Sequence, residues 1–568
     1  MRTTKIYSFI LIALTMVGCS KDFLETPPED KLVDETYWST EANVETFAYG
    51  FYPAYFTGYG SGFTWGNYFS GQSLNDDFSP SNPGMFIQQV PTSGGGWTFA
   101  WVRKANIFID RVQGVPMDQE AINHWTGVGR LFRALEYHDL VNSFGDIQWY
   151  DHELSEDDTE ELYKKRDSRV FVMDKVLEDF QYAAENVRSN VASEGLMVDR
   201  NVVLAYMSRV FLFEGTWQKY HENNNEKAKE YLEASKWAAN EVISSGEFSL
   251  GNYRETFNSL SLAGNPEVIL YREYEEGMLT HSLNSYNNKE PQTGPSKDAI
   301  ESYLADDGLP ISISTEYQGD HGIENVMANR DGRIYETFVS DELRINGIAS
   351  NYSTTGYATH KFLNEEIADK PIGSSNLNPT DAPILRYGEV LVNYAESAAE
   401  LATLGGDEFT QSDLDKSINV LRNRPGVNLP DLEIIGGEPA VNGIVYDDPE
   451  RDSDVPSIIW EIRRERRVEL MMEGYRLDDL RRWKKLNYVD MVDYPEINRG
   501  AWINKSDYPD SNLETLTLTN GSEGYIIPAT DGTFRTFDDP KVYLNPVPLD
   551  QIKLYQDQGV TLEQNPGW

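Results

Sequence analysis

The chain has 568 residues and a net charge of −43, with 92 acidic against 49 basic side chains, so nucleic acid and other anionic polymers are poor partners. A composition that is 40% hydrophobic and 12% aromatic is globular. Its 33 tyrosines and 12 tryptophans serve either as core or as exposed stacking platforms. The single cysteine, Cys19, excludes an intrachain disulfide.

Residues 1–18 carry Arg2 and Lys5 ahead of an apolar run, 6–17, that is too short to span a bilayer as a finished helix. Met16-Val17-Gly18-Cys19 looks like a bacterial lipobox, with Met16 where leucine is usual. The expected processing removes 1–18 as a lipoprotein signal peptide and acylates Cys19. Several acyl chains on one cysteine anchor stably, because each buried CH₂ contributes about 0.8 kcal/mol. Residues 19–33 are polar and Pro-containing and read as a tether. No later segment is apolar for long enough to span a membrane.

The remainder divides into 34–247 and 248–568. In the first region 34–56 reads as a helix. Residues 59–96 are rich in Gly, Ser, Asn and Pro, which is loop chemistry, and carry Trp65, Tyr68 and the paired carboxylates Asp76 and Asp77. Helical periodicity predicts helices over 97–112 (starting at Trp97), 121–142, 169–187, 200–217 and 225–244. The small–large alternation of Ala205, Arg209 and Phe213 suits stacked helix pairs of the tetratricopeptide kind. Residues 248–380 lack that period, with a strand predicted at 268–272, and read as an irregular lobe. Helices return at 385–404, 411–424 and 458–474. These sequence-distant pairs must stack together to bury their faces.

The stretch 458–483 is the most informative. Glu461, Glu465, Glu469 and Glu473 recur every four residues, one column of like charge on a helix, which repels itself. Arg464 and Arg466, three residues from Glu461 and Glu469, are expected to lean across it, and other arginines to reach partners elsewhere. The prediction is an internal ion-pair lattice. Ile458, Ile459, Ile462, Leu470 and Met471 give an apolar stripe. Gly474 suits the left-handed position that stops a helix, and a second short helix is expected over 478–486.

Chemistry of other kinds finds little support. There is no G-x-S-x-G elbow, and the seven histidines form no ligand-like spacing. Two carboxylates at hydrolase spacing are unavoidable by chance among 92. Asp447, Asp448, Glu450, Asp452 and Asp454 offer oxygens to calcium but lack EF-hand spacing and its glycine. An acidic run of this kind is first a solvated face, and no cofactor is assigned. Sugar binding fits best: pyranose C–H faces stack on aromatic rings, and hydroxyls need the paired donors and acceptors of Asn, Asp, Gln and Arg.

The stretch RRERRVELMMEGYRLDDLRRW, with YLNPVPLDQI at 543–552, LEQNPGW at 562–568 and GRLFRALEYHDLVNSFGDI at 129–147, resembles the SusD/RagB family. The resemblance implies a mostly α fold of about four tetratricopeptide-like helix pairs with an irregular, loop-rich lobe. It implies a non-catalytic, lipid-anchored surface protein of the outer membrane that binds oligosaccharide or polysaccharide and passes it to a TonB-dependent, SusC-like transporter. Carried over by position, it points to Asp76, Asp77, Trp97 and the loop from Tyr274 to Tyr286 as glycan-binding. Trp65 and Tyr68 are added from composition, and Trp97 could instead pack in the core against Trp101. Two other readings stay open: a peptide-binding member of the RagB branch, and a glycoside hydrolase using paired carboxylates.

Overall fold

Five helices of the N-terminal half begin where a side chain takes up a free backbone N–H. The computed structural model describes residues 37–66, 68, 74–189, 195–530, 532 and 534–568. The signal peptide, Cys19, the tether and the first residues of the 34–56 prediction lie outside them. Thr40 caps α1 (Glu41–Tyr49), and Asp118 caps α4 (Gln119–Phe144). Ser168, Asp199 and Asn224 cap α5 (Arg169–Asn186), α6 (Arg200–Trp217) and α7 (Asn225–Ser245). The predicted 34–56 helix is broken at Gly50, and a short α2 (Tyr52–Tyr55) restarts around Pro53. α3 (Ala100–Val112) starts three residues later than predicted, after a turn in which Gly94, Gly95 and Gly96 all have positive φ.

In the second half β1 (Val268–Arg272) pairs antiparallel with β2 (Ala382–Arg386), which leads directly into α8 (Tyr387–Thr403). The helix predicted at 411–424 is two pieces, α9 (Gln411–Asp415) and α10 (Ile418–Arg422). Between them the Ser417 hydroxyl donates back to the Asp413 carbonyl, an alternative to the helical ladder. α11 (Ser457–Glu469) ends short of Gly474, because Met472 itself takes φ +67° before Gly474 takes +92°. α12 (Arg476–Arg482) follows, and α13 (Leu549–Asp557) lies near the C-terminus.

α3 packs on α4, α4 on α5, α5 on α6, α6 on α7, α7 on α8 and α8 on α11, so helices distant in sequence are neighbours in space. The Ser235–Ser397 hydroxyl pair (2.7 Å) ties α7 to α8, and Asn393 donates to Ser208 (3.0 Å) from α8 to α6. The fold is the mostly α, tetratricopeptide-like scaffold expected. A second apolar cluster, holding Tyr59, Tyr303, Phe338 and Phe362, underlies the irregular lobe. α11 joins the two clusters: Ile459 and Ile462 enter the helical core, and Val468 with Met471, just beyond its end, enters the lobe core.

The glutamate column of α11 and of the turn after it is buried, and its partners come from across the chain. Glu469 accepts from Arg386 (2.6 Å), Arg424 (2.7 Å) and Arg333 (3.2 Å). Glu465 accepts from Arg333 (2.8 Å) and Arg422 (2.6 Å). Glu473 accepts from Arg386 (2.8 Å) and Lys361 (2.7 Å). Arg464 reaches Glu461 as expected (3.1 Å). Arg466 does not cross to Glu469; it turns to Asp479 (2.8 Å) and Asn393 (2.7 Å), because three cations from other segments already surround Glu469. Burial alone would raise the Glu469 carboxyl, but Arg424, Arg386 and Arg333 outweigh it and hold it below the usual range.

Candidate functional site

Residues 58–66 turn through four glycines, Gly58, Gly60, Gly62 and Gly66, all with positive φ. A Cβ on Gly66 would lie 2.0 Å from the Gly58 carbonyl oxygen, so the loop folds back on itself as only glycine permits. The loop is then tied to two others. Gly62 N–H donates to the Thr280 carbonyl (2.9 Å), and the Thr280 hydroxyl donates to the Asn376 carbonyl (2.7 Å). His281 and Asn378 exchange backbone bonds (3.1 and 3.0 Å). Within two residues of these ties stand three apolar side chains open to water: Phe63 (69% exposed), Met278 (80%) and Leu377 (47%). Trp65 lies half-buried among the same loops, its indole N–H donating to Ser282 (3.2 Å) and its ring 4.4 Å from Tyr286. The result is a loop surface on a rigid support, with an aromatic platform and nearby hydroxyl and amide groups.

The structure brings Trp65, Tyr68, Tyr274 and Tyr286 into one apolar cluster, loop and lobe together. Three of them form its underside. The Tyr68 hydroxyl donates to the Pro383 carbonyl (2.7 Å) and Tyr274 to the Gly60 carbonyl (2.8 Å), and Tyr286 accepts from Thr293 N–H (2.8 Å). All three are buried. Asp76 and Asp77 are also buried, but in a clamp away from this surface. Arg476 binds Asp76 through both carboxylate oxygens (2.7 and 2.6 Å), and Arg467 binds Asp77 (2.7 Å). Burial opposes the Asp76 charge, yet Arg467 and Arg476 prevail and hold its carboxyl well below the usual range. Trp97 is separate from both groups. It is buried with its ring edge-on to Phe144 at 5.0 Å, rather than against Trp101, which packs on Phe51 and Tyr55. Phe63 was open to the reasoning that selected Trp65, since both stand in the glycine-rich run GSGFTWG. Met278 and Leu377 carry no such signal.

Three carboxylates of the acidic loop 447–454 are held by the protein's own cations. Asp447 pairs with Arg451, Asp448 with Arg464, and Asp452 with Lys485. Among the described residues no three His, Cys, Asp or Glu side chains are placed to hold a metal ion.

A crevice of about 340 Å³ opens between α2, α4, α6 and α12. Its wall includes Asp139, Asn142, Arg209 and Asp478. Asp139 meets water inside it but has protein around it. This confinement, with Glu136 and Asp478 nearby, pushes its carboxyl up to about 7. An unfolded aspartate titrates near about 3.9, so the folded state holds this proton more tightly. The side chain therefore favours folding below about pH 4, and that advantage is lost as pH rises through 7. Asp139→Asn is expected to raise the melting temperature at pH 8, with the gain shrinking toward pH 5. A variant less stable than the parent at pH 8 would contradict this.

The SusD family model matches residues 266–568, just over half of the chain, and the chain belongs to that family. SusD-like protein P38 of Formosa agariphila is 23% identical over 510 residues, spanning 84% of this chain and 90% of the relative. SusD-like protein P2 of the same organism is 23% identical over 517 residues, spanning 85% and 91%. Among solved structures, a SusD-like carbohydrate binding protein from Bacteroides fragilis superposes with a TM-score of 0.67 at 21% identity, over 92% of this chain and 99% of that one. A laminarin binding SusD-like protein gives 0.54 at 16% identity, over 94% and 100%. These structures share the fold.

Proposed function

We propose that the protein is a non-catalytic, cell-surface glycan-binding lipoprotein. Cys19 carries its lipid anchor in the outer membrane, and a TonB-dependent, SusC-like transporter receives its oligosaccharide. The observation that carries this reading is the loop surface of Phe63, Trp65, Met278 and Leu377, where an exposed aromatic ring stands beside hydroxyl and amide groups on a rigid base. The structurally similar carbohydrate binding and laminarin binding SusD-like proteins support it. No helix among the described residues is long and apolar enough to cross a membrane.

The test is a screen of the purified protein against neutral polysaccharides, laminarin among them, by affinity electrophoresis and calorimetry. One or more are expected to bind saturably. Phe63→Ala and Trp65→Ala are each expected to weaken binding roughly five- to tenfold, in line with about 1 kcal/mol for a stacked ring. Release of shortened products would indicate a hydrolase instead. Binding of peptides with no glycan retained would favour the RagB-type reading.

A further inference from the structure

α11 carries a second column beside its glutamates. Trp460, Arg463, Arg464 and Arg467 follow one another at helical spacing and share one face. α12 brings Arg476, with Trp483 just past its end. Between these side chains lies a slot of about 60 Å³, completed by Ser302 of the lobe and by Tyr488 in the turn after α12. No carboxylate lines it, and it shares no residue with the loop surface or with the crevice around Asp139.

The four guanidinium groups are unequally committed. Arg464 spends all three nitrogens, on Glu461 (3.1 Å), on the Ser302 carbonyl (3.4 Å) and on Asp448. The other three each keep one nitrogen in reserve. Arg463 donates through Nη2 to Tyr220 (3.0 Å) and Glu400 (3.1 Å). Arg467 is held by Asp77 at Nε (2.7 Å) and by Asp298 at Nη2 (2.7 Å). Arg476 gives Nε and Nη2 to Asp76 (2.7 and 2.6 Å). Each Nη1, with two N–H groups, has no partner among the described residues, and none of the three is sealed from water. The three side chains are only 7%, 9% and 11% exposed, and the slot they line is where that surface lies.

The polar groups of the remaining wall are engaged. The Ser302 hydroxyl donates to the Ala299 carbonyl (2.7 Å), the Trp460 indole to Asp448 (3.2 Å), and the Tyr488 hydroxyl to Asp452. Otherwise the wall is aromatic, and the Arg463 guanidinium lies over the Trp483 ring at 4.3 Å. Trp460 and Tyr488 are half-buried and mark the mouth.

Free guanidinium N–H groups call for an oxyanion, and their planar forks match a carboxylate best. A slot of about 60 Å³ holds about four or five water-sized groups, a carboxylate and the first carbons that carry it. Sulfate or phosphate would also fit by size. Such a dianion would turn oxygens toward three aromatic rings that offer no free donor, at a cost in desolvation. A hydrocarbon or ring body meets those walls favourably. Each arginine already has a carboxylate behind it, so the fit of the N–H groups, rather than net charge, sets the affinity.

We propose that this slot is a second binding site, independent of the loop surface, for the carboxylate end of a small organic acid. The carboxylate takes the Nη1 groups of Arg463, Arg467 and Arg476. Its carbons lie among Trp460, Trp483 and Tyr488, and the far end of a longer acid emerges at the mouth.

The experiment is calorimetry with the purified protein at low ionic strength. The probes are acetate, propionate and benzoate. Acetamide, propionamide and benzamide are neutral counterparts of the same shape, and sulfate and phosphate are tetrahedral anions. At least one carboxylate is expected to bind at one site per chain, tenfold or more tighter than its amide and than either tetrahedral anion. The double variant Arg467→Lys with Arg476→Lys keeps a cation beside Asp77 and Asp76 but removes two of the free nitrogens, and is expected to weaken that binding at least tenfold. Trp460→Leu, at a half-buried position, is expected to weaken benzoate several-fold more than acetate. Carboxylates that bind no better than their amides would overturn the proposal. So would sulfate or phosphate binding as tightly, or carboxylate binding left unchanged in whichever of these variants fold.

Discussion

Glu469→Gln is expected to destabilise the protein by about 3–5 kcal/mol, the usual effect of removing one partner from a buried ion pair. The substitution keeps the shape and removes one charge. Glu469 is fully buried and neutralises guanidinium groups from three segments, Arg333, Arg386 and Arg424. Glu267 shares two of them but is already bonded to both. Without the Glu469 charge, five buried cations, Arg333, Arg386, Arg424, Arg422 and Lys361, face four carboxylates, Asp331, Glu267, Glu465 and Glu473, in a low-dielectric interior. Against a typical total of about 5–15 kcal/mol, that is a large share, and soluble yield is expected to fall as well. Urea unfolding followed by circular dichroism measures it. The exposed pair Glu496–Arg499 serves as the reference: Glu496→Gln is expected to change stability by less than about 1 kcal/mol. Equal effects of the two substitutions would show that the interior lattice is not what holds the scaffold to the lobe.

Asp76→Asn is expected to have the second-largest effect, about 3 kcal/mol, with a local consequence as well. Asp76 is the point at which the glycine-rich segment 59–96 is pinned to α12, through both oxygens to Arg476. Its carbonyl also accepts from the Ser296 hydroxyl (2.6 Å), and the Asn75 carbonyl from Arg535 (3.1 Å). An amide at position 76 leaves Arg476 buried without a counter-charge and turns one acceptor into a donor facing a guanidinium. Limited proteolysis is expected to cut within 59–96 several times faster, and glycan affinity at the loop surface to fall with it, since Trp65 belongs to the same segment. An unchanged cutting rate would mean that the backbone bonds alone anchor the loop.

How much of this was legible beforehand depends on how local the cause is. The bounds of α6 are those predicted, because Asp199 caps one end and apolar periodicity carries the other. β1 likewise stands where the sequence placed it. The column Glu461, Glu465, Glu469 and Glu473 announces a lattice, but the partners at 267, 333, 386 and 424 cannot be read from spacing. Arg466 shows this, since its preference for Asp479 follows only from the approach of α12. The aromatic residues of the candidate site pose the same difficulty. Tyr68, Tyr274 and Tyr286 stand among turn formers and read as exposed. Their hydroxyls are satisfied by backbone groups up to 315 residues away, which draws them inward. Phe63 stays exposed against its own hydrophobicity, which spacing does not foretell.

The lattice around Glu469 also bears on how the chain is made. Its cations are synthesised first, at 333, 386 and 424, and the carboxylates of α11 that neutralise most of them arrive only near the end of translation. A ribosome that stops early therefore releases a product with unmatched positive charge at its centre, and pairing over such separations makes final assembly slow. The interior is therefore expected to close only once the last fifth of the chain has been made.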